Sequence, residues 1–236
     1  MAKRISNFPD YAIHISSSSV TLCKSLSAEK PLRQTYKNTT LPALERECGA
    51  FFDPLTQQDT VEVFLDATTP LLFPKSLSVK PSSHYAKLMP MPSDNQMLLE
   101  DEIDDYIAVF PYSITKIAQL QALLNCQLSL HHTDHYCVQV LQQLPCDTPF
   151  KISVQFLSQR IEVILLEDQR LQLVNSFKYT TLEDILYYIL NILQQFSIPQ
   201  SQSTLFLVNP QALPRAERFL KKYLPNVQPM EPSFLV

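Results

Sequence analysis

Glycine and tryptophan are almost missing from this chain of 236 residues. It contains one glycine, Gly49, and no tryptophan, but eighteen prolines, whereas average usage places glycine at about 7% of positions. Glycine lets the backbone take positive φ angles and approach a ligand closely, and phosphate-binding loops depend on that freedom. The sequence therefore excludes a P-loop, a glycine-rich dinucleotide motif, a kinase-type glycine loop and the G-x-S-x-G turn of serine hydrolases.

Charge is also scarce, and its balance is slightly acidic. Charged residues make up 18% of the chain, the net charge is −4 and the pI is near 5.7. Nucleic-acid binding needs a basic face that neutralises phosphates, so we expect no nucleic-acid partner. Apolar residues make up 45%, which indicates a globular chain with one large or two small hydrophobic cores.

Long hydrophobic runs are missing too. The longest, Ile185–Leu190, falls far short of the roughly eighteen residues that span a bilayer. A signal peptide needs an apolar stretch after its basic first residues, and this sequence has none there. The five cysteines are an odd number, which favours reduced thiols. We therefore expect a cytoplasmic protein without a transmembrane segment.

The C-terminal third shows a clear alternation of strands and helices. Three short strands are predicted first, then a helix that begins at Thr181 and ends near Phe196, an apolar strand and a last helix. The predicted ranges are Lys151–Leu157, Ile161–Leu166, Leu171–Phe177, Thr181–Phe196, Thr204–Val208 and Pro214–Leu224. Their order is β-β-β-α-β-α.

The N-terminal part repeats this order. Its predicted elements are the strands Tyr11–Ile15, Val20–Cys23 and Leu32–Lys37, the helix Leu41–Phe52 and the strand Val61–Leu65. Thr35–Leu41 also resembles Ser176–Leu182 at the equivalent point of the second unit, which indicates an internal duplication. Between the units we predict a helical piece at Leu71–Leu77, a strand at Tyr106–Phe110, a helix at Ile114–Leu124, and a strand with a following strand or helix within Gln127–Leu144.

The predicted fold is α/β with mixed sheets, built from two tandem β-β-β-α-β-α halves. We place the first half at residues 1–148, with an inserted segment at about 79–148, and the second half at residues 149–236.

Four segments carry a resemblance to a known fold: the hairpin strand Tyr11–Ile15, the strand end Ile107–Pro111, the strand Leu130–His132 and the closing unit of strands, helix and strand. Two such tandem halves resemble the duplicated ribonuclease-H-like fold of actin, hexokinase and the chaperone ATPases. More narrowly, most of the chain is similar to an uncharacterised bacterial family with an actin-like ATPase fold. The resemblance implies that fold for this chain.

The resemblance also implies where nucleotide would bind. ATP-binding members of the superfamily place an Asp-x-Gly-type turn in the first hairpin of each half and a glycine-rich adenosine motif in the second half. Here the turns are Ser16–Ser19 and Ser158–Arg160, and Leu205–Arg215 contains no glycine. We therefore expect an ATPase fold that has lost nucleotide binding, and no cofactor.

One cluster has the residue types of a metal site. Its members are Cys126, His131, His132, His135, Cys137 and Cys146. Zinc prefers such ligands at short spacings, but the chain has no C-x-x-C pair to anchor it. The alternative is that His131 and His132 end a strand and the cysteines pack as small apolar residues. We expect no metal.

Acidic and basic groups give three weaker candidates. The run Glu100–Asp105 lacks the spacing of a calcium loop and is predicted as a solvated turn. Asp66 follows a buried strand, where ligands of α/β sheets bind, but Asp66–Pro70 also reads as a helix start. The cations of the last helix are predicted as a solvated face, with docking of an acidic partner or membrane headgroups as the alternative. They are Arg215, Arg218, Lys221 and Lys222.

The apolar chain end at Phe234–Val236 is expected to add to a sheet edge of this or another protein. Cys48 has no nearby histidine in the sequence, so a cysteine nucleophile is unsupported. We assign no catalytic residue.

Two functions remain. The first is a non-catalytic binding or adaptor protein with a protein or peptide partner, by analogy with adaptor subunits of type IV pilus and type II secretion platforms, whose actin-like folds hold a partner's peptide. The second is an ATP-binding enzyme that contacts phosphates through side chains such as Lys37, Arg160 or Lys178. A ribonuclease-H-like nuclease would need three or four carboxylates around two metals, and neither first hairpin supplies any.

Overall fold

The computed structural model describes residues 10–16, 19–24, 32–39, 41–52, 55–77, 80–89, 93–124, 126–157, 159–208 and 213–230. In chain order, the elements up to residue 143 are β1 (Tyr11–Ile15), β2 (Ser19–Lys24), β3 (Leu32–Lys37), α1 (Glu45–Phe52), β4 (Thr60–Leu65), β5 (Leu71–Pro74), α2 (Pro81–Leu88), β6 (Gln96–Ile103), β7 (Tyr106–Ser113), α3 (Ile114–Leu123), β8 (Gln127–His132) and α4 (Thr133–Gln143). The remaining elements are β9 (Phe150–Phe156), β10 (Arg160–Glu167), β11 (Arg170–Lys178), α5 (Leu182–Gln195), β12 (Ser203–Val208), α6 (Ala216–Leu220) and β13 (Val227–Met230).

Two five-stranded sheets share one topology. Their strand orders are β3-β2-β1-β4-β8 and β11-β10-β9-β12-β13. In each sheet, the three strands that come first in the sequence pair antiparallel to one another. The other two strands, β4 and β8 or β12 and β13, add to the sheet in parallel. This recurrence confirms the predicted mixed α/β fold with two ribonuclease-H-like halves. Each sheet has one parallel strand beyond the repeated unit: β8, which lies within the predicted segment Gln127–Leu144, and β13, which was not predicted.

Each sheet has its own hydrophobic core. Aliphatic residues of β1, β2 and β4 pack with α1 and α3 in the first, and β9, β10 and β12 pack with α5 and α6 in the second. The amphipathic stripe of α5 explains its placement, because Ile185, Ile189 and Leu193 recur at helical spacing and are all buried. Thr181 caps α5 reciprocally with Asp184, as the capping-box pattern predicts.

The segment after β4 differs from the prediction. Leu71–Leu77 is not helical, because Leu71–Pro74 forms β5 and pairs antiparallel with β7. The three strands β5, β7 and β6 form a separate sheet. Tertiary strand pairing therefore overrides the local preference of an apolar run too short to show a period.

The chain divides into two compact units between Tyr136 and Cys137, within α4. The predicted domain boundary after residue 148 stays a prediction. Within the described residues, none of the helices has the length and apolar character needed to cross a membrane.

Candidate functional site

Four polar side chains from distant segments meet beside the first sheet: Glu62 on β4, Asp101 on β6, His131 at the end of β8 and His135 in the first turn of α4. We call this set the histidine–carboxylate cluster. Strand alternation explains part of it, because Glu62 pairs with Ser129 across the parallel β4–β8 ladder, and His131 follows two positions later on the same face.

Asp101 lies at the centre of the cluster. Its Oδ1 accepts hydrogen bonds from Nδ1 of His131 and Nδ1 of His135, each at 2.8 Å. Its Oδ2 accepts the backbone N–H of His132 at 2.9 Å. The Asp101 side chain is only 2% exposed, so both carboxylate oxygens are held by the protein.

His131 bridges two carboxylates. Its Nε2 lies 2.6 Å from Oε2 of Glu62 and 2.8 Å from Oγ of Ser129. Phe64 and His135 pack against its ring at centroid distances of 5.6 and 4.7 Å. The ring is therefore fixed at both nitrogens and against the sheet.

These contacts shift three pKa values. Burial opposes the charged form of His131, but the hydrogen bonds and charges of Asp101 and Glu62 outweigh it and raise the His131 pKa to about 9. Burial likewise opposes ionisation of Asp101 and Glu62, yet their hydrogen bonds to the histidines hold both carboxyl pKa values below the usual range. Without a metal, the cluster holds an imidazolium between two carboxylates at neutral pH.

The neighbouring His132 has a structural role. It is fully buried, its Nε2 donates to the Thr68 carbonyl at 3.2 Å, and its Nδ1 accepts the backbone N–H of Asp134 at 3.1 Å. The edge of its ring meets Phe110 at 4.9 Å between centroids. His132 therefore fixes the start of α4, which carries His135.

The structure brings together only part of the predicted Cys/His set. Among the described residues, the group with metal-ligating atoms near one another is Asp101, His131 and His135, with no cysteine. Cys137 is buried with its Sγ 3.7 Å from Gln155, and the Cys146 Sγ lies 3.1 Å from the Thr148 hydroxyl.

Asp101 and Glu62 were not predicted as site residues from the sequence. The acidic run is not a solvated turn, because Glu100–Ile103 belongs to β6 and Asp104–Asp105 alone forms the turn. The signal was period-two alternation, since Asp101 and Ile103 share the buried face while Glu102 is exposed. For Glu62 the corresponding signal is Phe64, the buried residue two positions later on the same face of β4.

Asp66 does not start a helix. Its backbone N–H donates to the Ile15 carbonyl at 2.8 Å, and the chain continues into β5. The predicted helix start at Asp66–Pro70 is therefore wrong.

The two first hairpins are closed by their own groups. Ser16 donates its N–H to the Ser19 carbonyl at 2.9 Å, and the Ser19 N–H donates to the Ser16 hydroxyl at 2.9 Å. In the second hairpin the Leu157 N–H donates to the Arg160 carbonyl at 2.9 Å. The backbone N–H groups of Ser16, Ser19 and Leu157 are thus engaged within their own hairpins. Residues 209–212, at the predicted position of the adenosine motif, lie outside the described residues.

The cationic candidates are dispersed. Arg160 donates to Glu162, which is buried, at 3.0 Å, and Lys37 and Lys178 are exposed at the ends of β3 and β11. Lys221, directly after α6, pairs with Glu217 of that helix at 2.6 Å. The apolar chain end at Phe234–Val236 lies outside the described residues.

A groove lies between β3, at an edge of the first sheet, and helix α1. Its volume is about 340 Å³, and its walls are Lys24, Leu32, Gln34, Tyr36, Arg46, Glu47, Ala50 and Phe51. Leu32 is 57% exposed. We call it the β3 groove.

Comparisons with known proteins identify the fold. A family model described as "Protein of unknown function (DUF3822)" matches residues 11–227. The chain is similar to a Bacteroides thetaiotaomicron protein with an actin-like ATPase fold and unknown function, at 14% identity and a TM-score of 0.71, over 93% of this chain and 90% of that one.

Two further structures share the fold. One is the PilM–PilN type IV pilus biogenesis complex, at 12% identity and a TM-score of 0.64, over 94% of this chain and 88% of that one. The other is the ethanolamine utilization protein EutJ from Carboxydothermus hydrogenoformans, at 6% identity and a TM-score of 0.52, over 94% and 85%. No curated protein matches the chain. The expected actin-like ATPase fold is confirmed.

Proposed function

The chain belongs to this family of unknown function, and we propose that it is a protein-binding module that receives an extended peptide of its partner along β3. The observation that carries the proposal is the β3 groove, an open trough beside an edge strand. An edge strand presents N–H and C=O groups that an added strand can bond, while adjacent pockets select its side chains.

The chemistry of the groove defines the occupant. Leu32 offers exposed apolar surface, and Phe51 lines the groove although it is mostly buried. Lys24 and Arg46 contribute two positive charges against the one negative charge of Glu47. Such walls fit an extended segment with alternate apolar side chains and an acidic residue. We therefore propose that the groove binds a peptide segment with apolar and acidic side chains.

The hairpin turns support binding over catalysis. Ser16 and Ser19 bond to each other, and Arg160 is held by Glu162, so these groups of the two first hairpins already have protein partners. Among similar structures, one with this fold is the PilM–PilN type IV pilus biogenesis complex. That likeness supports a protein partner here.

The proposal includes a cytoplasmic location. All five cysteines are free thiols, which suits a reducing compartment.

A photo-crosslinking amino acid at position 32 tests the docking surface. In the native host, we expect position 32 to capture one partner, and the matched control at Leu88, 66% exposed on α2, to capture none. A synthetic peptide covering the captured segment should then bind the purified chain, and Leu32→Asp should weaken that binding by about tenfold or more. Equal capture at both positions, or equal peptide affinity in the variant, would overturn the proposal.

Calorimetry with Mg·ATP tests the competing enzyme. We expect no binding heat and no thermal shift at millimolar nucleotide. Micromolar binding that Arg160→Ala abolishes would establish the ATP-binding alternative instead.

A further inference from the structure

We propose that the histidine–carboxylate cluster is a binding site for a divalent transition metal, Zn²⁺ above all, with Asp101, His131 and His135 as ligands. The ligating atoms of these three side chains all lie within 4.8 Å of one another. This site is independent of the β3 groove and departs from the sequence-based expectation of no metal.

The donor atoms converge on one point. Nδ1 of His131 and Nδ1 of His135 each lie 2.8 Å from Oδ1 of Asp101, so two imidazole nitrogens and one carboxylate oxygen face each other. Two histidines with one carboxylate form a ligand set that zinc takes in proteins with one position left open. Spacing in the sequence hides this set, because Asp101 lies on β6 and the histidines lie on β8 and α4.

The proposed ligands are hydrogen-bonded by a second layer of groups, as ligands in metal sites commonly are. With Nδ1 of His131 on a metal, its Nε2–H would keep donating to Glu62 at the observed 2.6 Å. The second oxygen of Asp101 is held by the His132 backbone N–H. A carboxylate behind a ligating histidine and a hydrogen bond behind a ligating carboxylate fix ligand orientation and raise affinity.

Charge and access favour a dication. Zn²⁺ would balance the two carboxylates of Asp101 and Glu62. As the metal–nitrogen bonds form, the His131 imidazolium would release its Nδ1 proton to solvent, and the ring proton of His135 would move from Nδ1 to Nε2. The His131 and His135 side chains are 19% and 17% exposed, whereas Asp101 is 2% exposed. The histidine side of the site is therefore its solvent-facing side, from which we expect an ion to enter.

Cobalt titration of the full chain tests this site. After treatment with chelator, we expect one equivalent of Co²⁺ to give visible d–d absorption bands, and one equivalent of Zn²⁺ to abolish them. His135→Gln should remove the bands, while His84→Gln, a histidine on α2 outside the cluster, should leave them unchanged. The circular dichroism spectrum of each variant reports whether it folds.

Glu62→Gln gives a second, milder variant. It keeps all three ligands and should weaken Co²⁺ binding by about 10- to 100-fold through the lost carboxylate behind His131. Absence of stoichiometric Co²⁺ binding by the wild-type chain would overturn the proposal, and so would equal binding by wild type and a folded His135→Gln variant.

Discussion

The scarcity of glycine does not remove tight turns, because other residues occupy the left-handed backbone region. Among the described residues, positive φ angles occur at Asn38, Asp104, Asp168, Gln169 and Ser197, with values from 45° to 72°. Asn and Asp tolerate this region best, whereas Ser and Gln bear most of the steric cost of a Cβ. The single glycine has no positive φ and lies within α1, so it serves no turn.

Replacing this glycine should stabilise the protein. Gly49 lies in the interior of α1, and a Cβ added there would meet nothing within 4 Å. Because glycine costs about 1 kcal/mol relative to alanine in a helix interior, Gly49→Ala should raise the free energy of unfolding by about that amount in urea denaturation. The reverse change next to it, Ala50→Gly, should lower it by a similar amount. Loss of stability in Gly49→Ala would show that α1 depends on the glycine.

Ser197 should gain from the opposite change. It follows the end of α5 with φ 56°, its N–H donates to the Gln194 carbonyl, and the Ile198 N–H donates to the Leu193 carbonyl, which is the Schellman arrangement that favours glycine. Ser197→Gly should raise the thermal midpoint, with a gain of about 1 kcal/mol from the removed Cβ. Ser197→Ala keeps the Cβ and should bring no such gain; an equal gain in both variants would contradict the backbone argument.

His14 should make stability depend on pH. Burial lowers its pKa from 6.5 to about 4, and its cross-strand neighbours Thr21 and Phe64 carry no charge. Above pH 6.5 the ring is neutral in both states and contributes nothing. As pH falls from 6.5 to 4, His14 is protonated in the unfolded chain but not in the folded chain. The free energy of unfolding therefore drops by about 1.4 kcal/mol per pH unit and levels off below pH 4.

The measurement is the difference in unfolding free energy between wild type and His14→Gln from pH 7 to pH 4. Other titrating groups act alike in both proteins and cancel, so we expect this difference to change with pH through that window. His84→Gln should show a difference that stays constant. A constant difference for His14→Gln would mean that His14 takes up its proton in the folded state.

At the scale of elements, the sequence predicts what periodicity encodes. The strand at Leu32–Lys37 and the helix from Ile114 have the predicted bounds to within one residue. A helical period runs through the helix, and the repeated order of elements gives the place of the strand. The prediction of a helix at Leu71–Leu77 was wrong because a short apolar run is compatible with a helix or a strand. Its pairing with β7 makes it a strand. The prediction of a solvated turn at Glu100–Asp105 was wrong because it rested on the charge of the run. The two-residue period that buries Asp101 was not considered.

A buried lysine links α4 to the second sheet. Lys151 on β9 is 2% exposed, and its Nζ donates to the carbonyls of Leu141, Gln142 and Leu144 at 2.7 to 3.2 Å and to Oε1 of Gln169 at 3.0 Å. The last carbonyls of a helix lack intrahelical partners, and a cation there also favours the helix dipole. Burial lowers the Lys151 pKa, but its four acceptors support the charged form.

Lys151→Met should therefore destabilise the protein strongly. Methionine fills similar volume but leaves the α4 carbonyls without donors, which should cost about 3 kcal/mol in urea denaturation. Lys178→Met, at an exposed strand end, serves as the matched control and should change stability little. Equal stability of the two variants would show that solvent satisfies the end of α4.

At the scale of the whole molecule, the fold was predictable and the candidate site was not. One order of strands and helices occurs twice in the chain and twice in the structure, so a local pattern sufficed to predict the architecture. The histidine–carboxylate cluster joins Glu62, Asp101, His131 and His135 from four elements. Its geometry depends on the placement of β6 beside β8, which no local period encodes.

The two cores predict separable responses to matched substitutions. Val63 on β4 and Val154 on β9 are each 0% exposed, in the first and second cores. Each change to alanine should lower stability by about 2 kcal/mol through the cavity it leaves. Because cooperative units lose amide protection together, hydrogen exchange should rise in β1, β4 and β8 for Val63→Ala and in β9, β10 and β12 for Val154→Ala.

Helix α4 decides where the boundary lies. The compact units divide between Tyr136 and Cys137, whereas the sequence predicts a boundary after residue 148. Since Lys151 holds the C-terminal carbonyls of α4, residues 137–143 should lose amide protection in Val154→Ala and keep it in Val63→Ala. Loss in Val63→Ala alone would instead assign all of α4 to the first half, and identical exchange patterns in both variants would show that the chain unfolds as one cooperative unit.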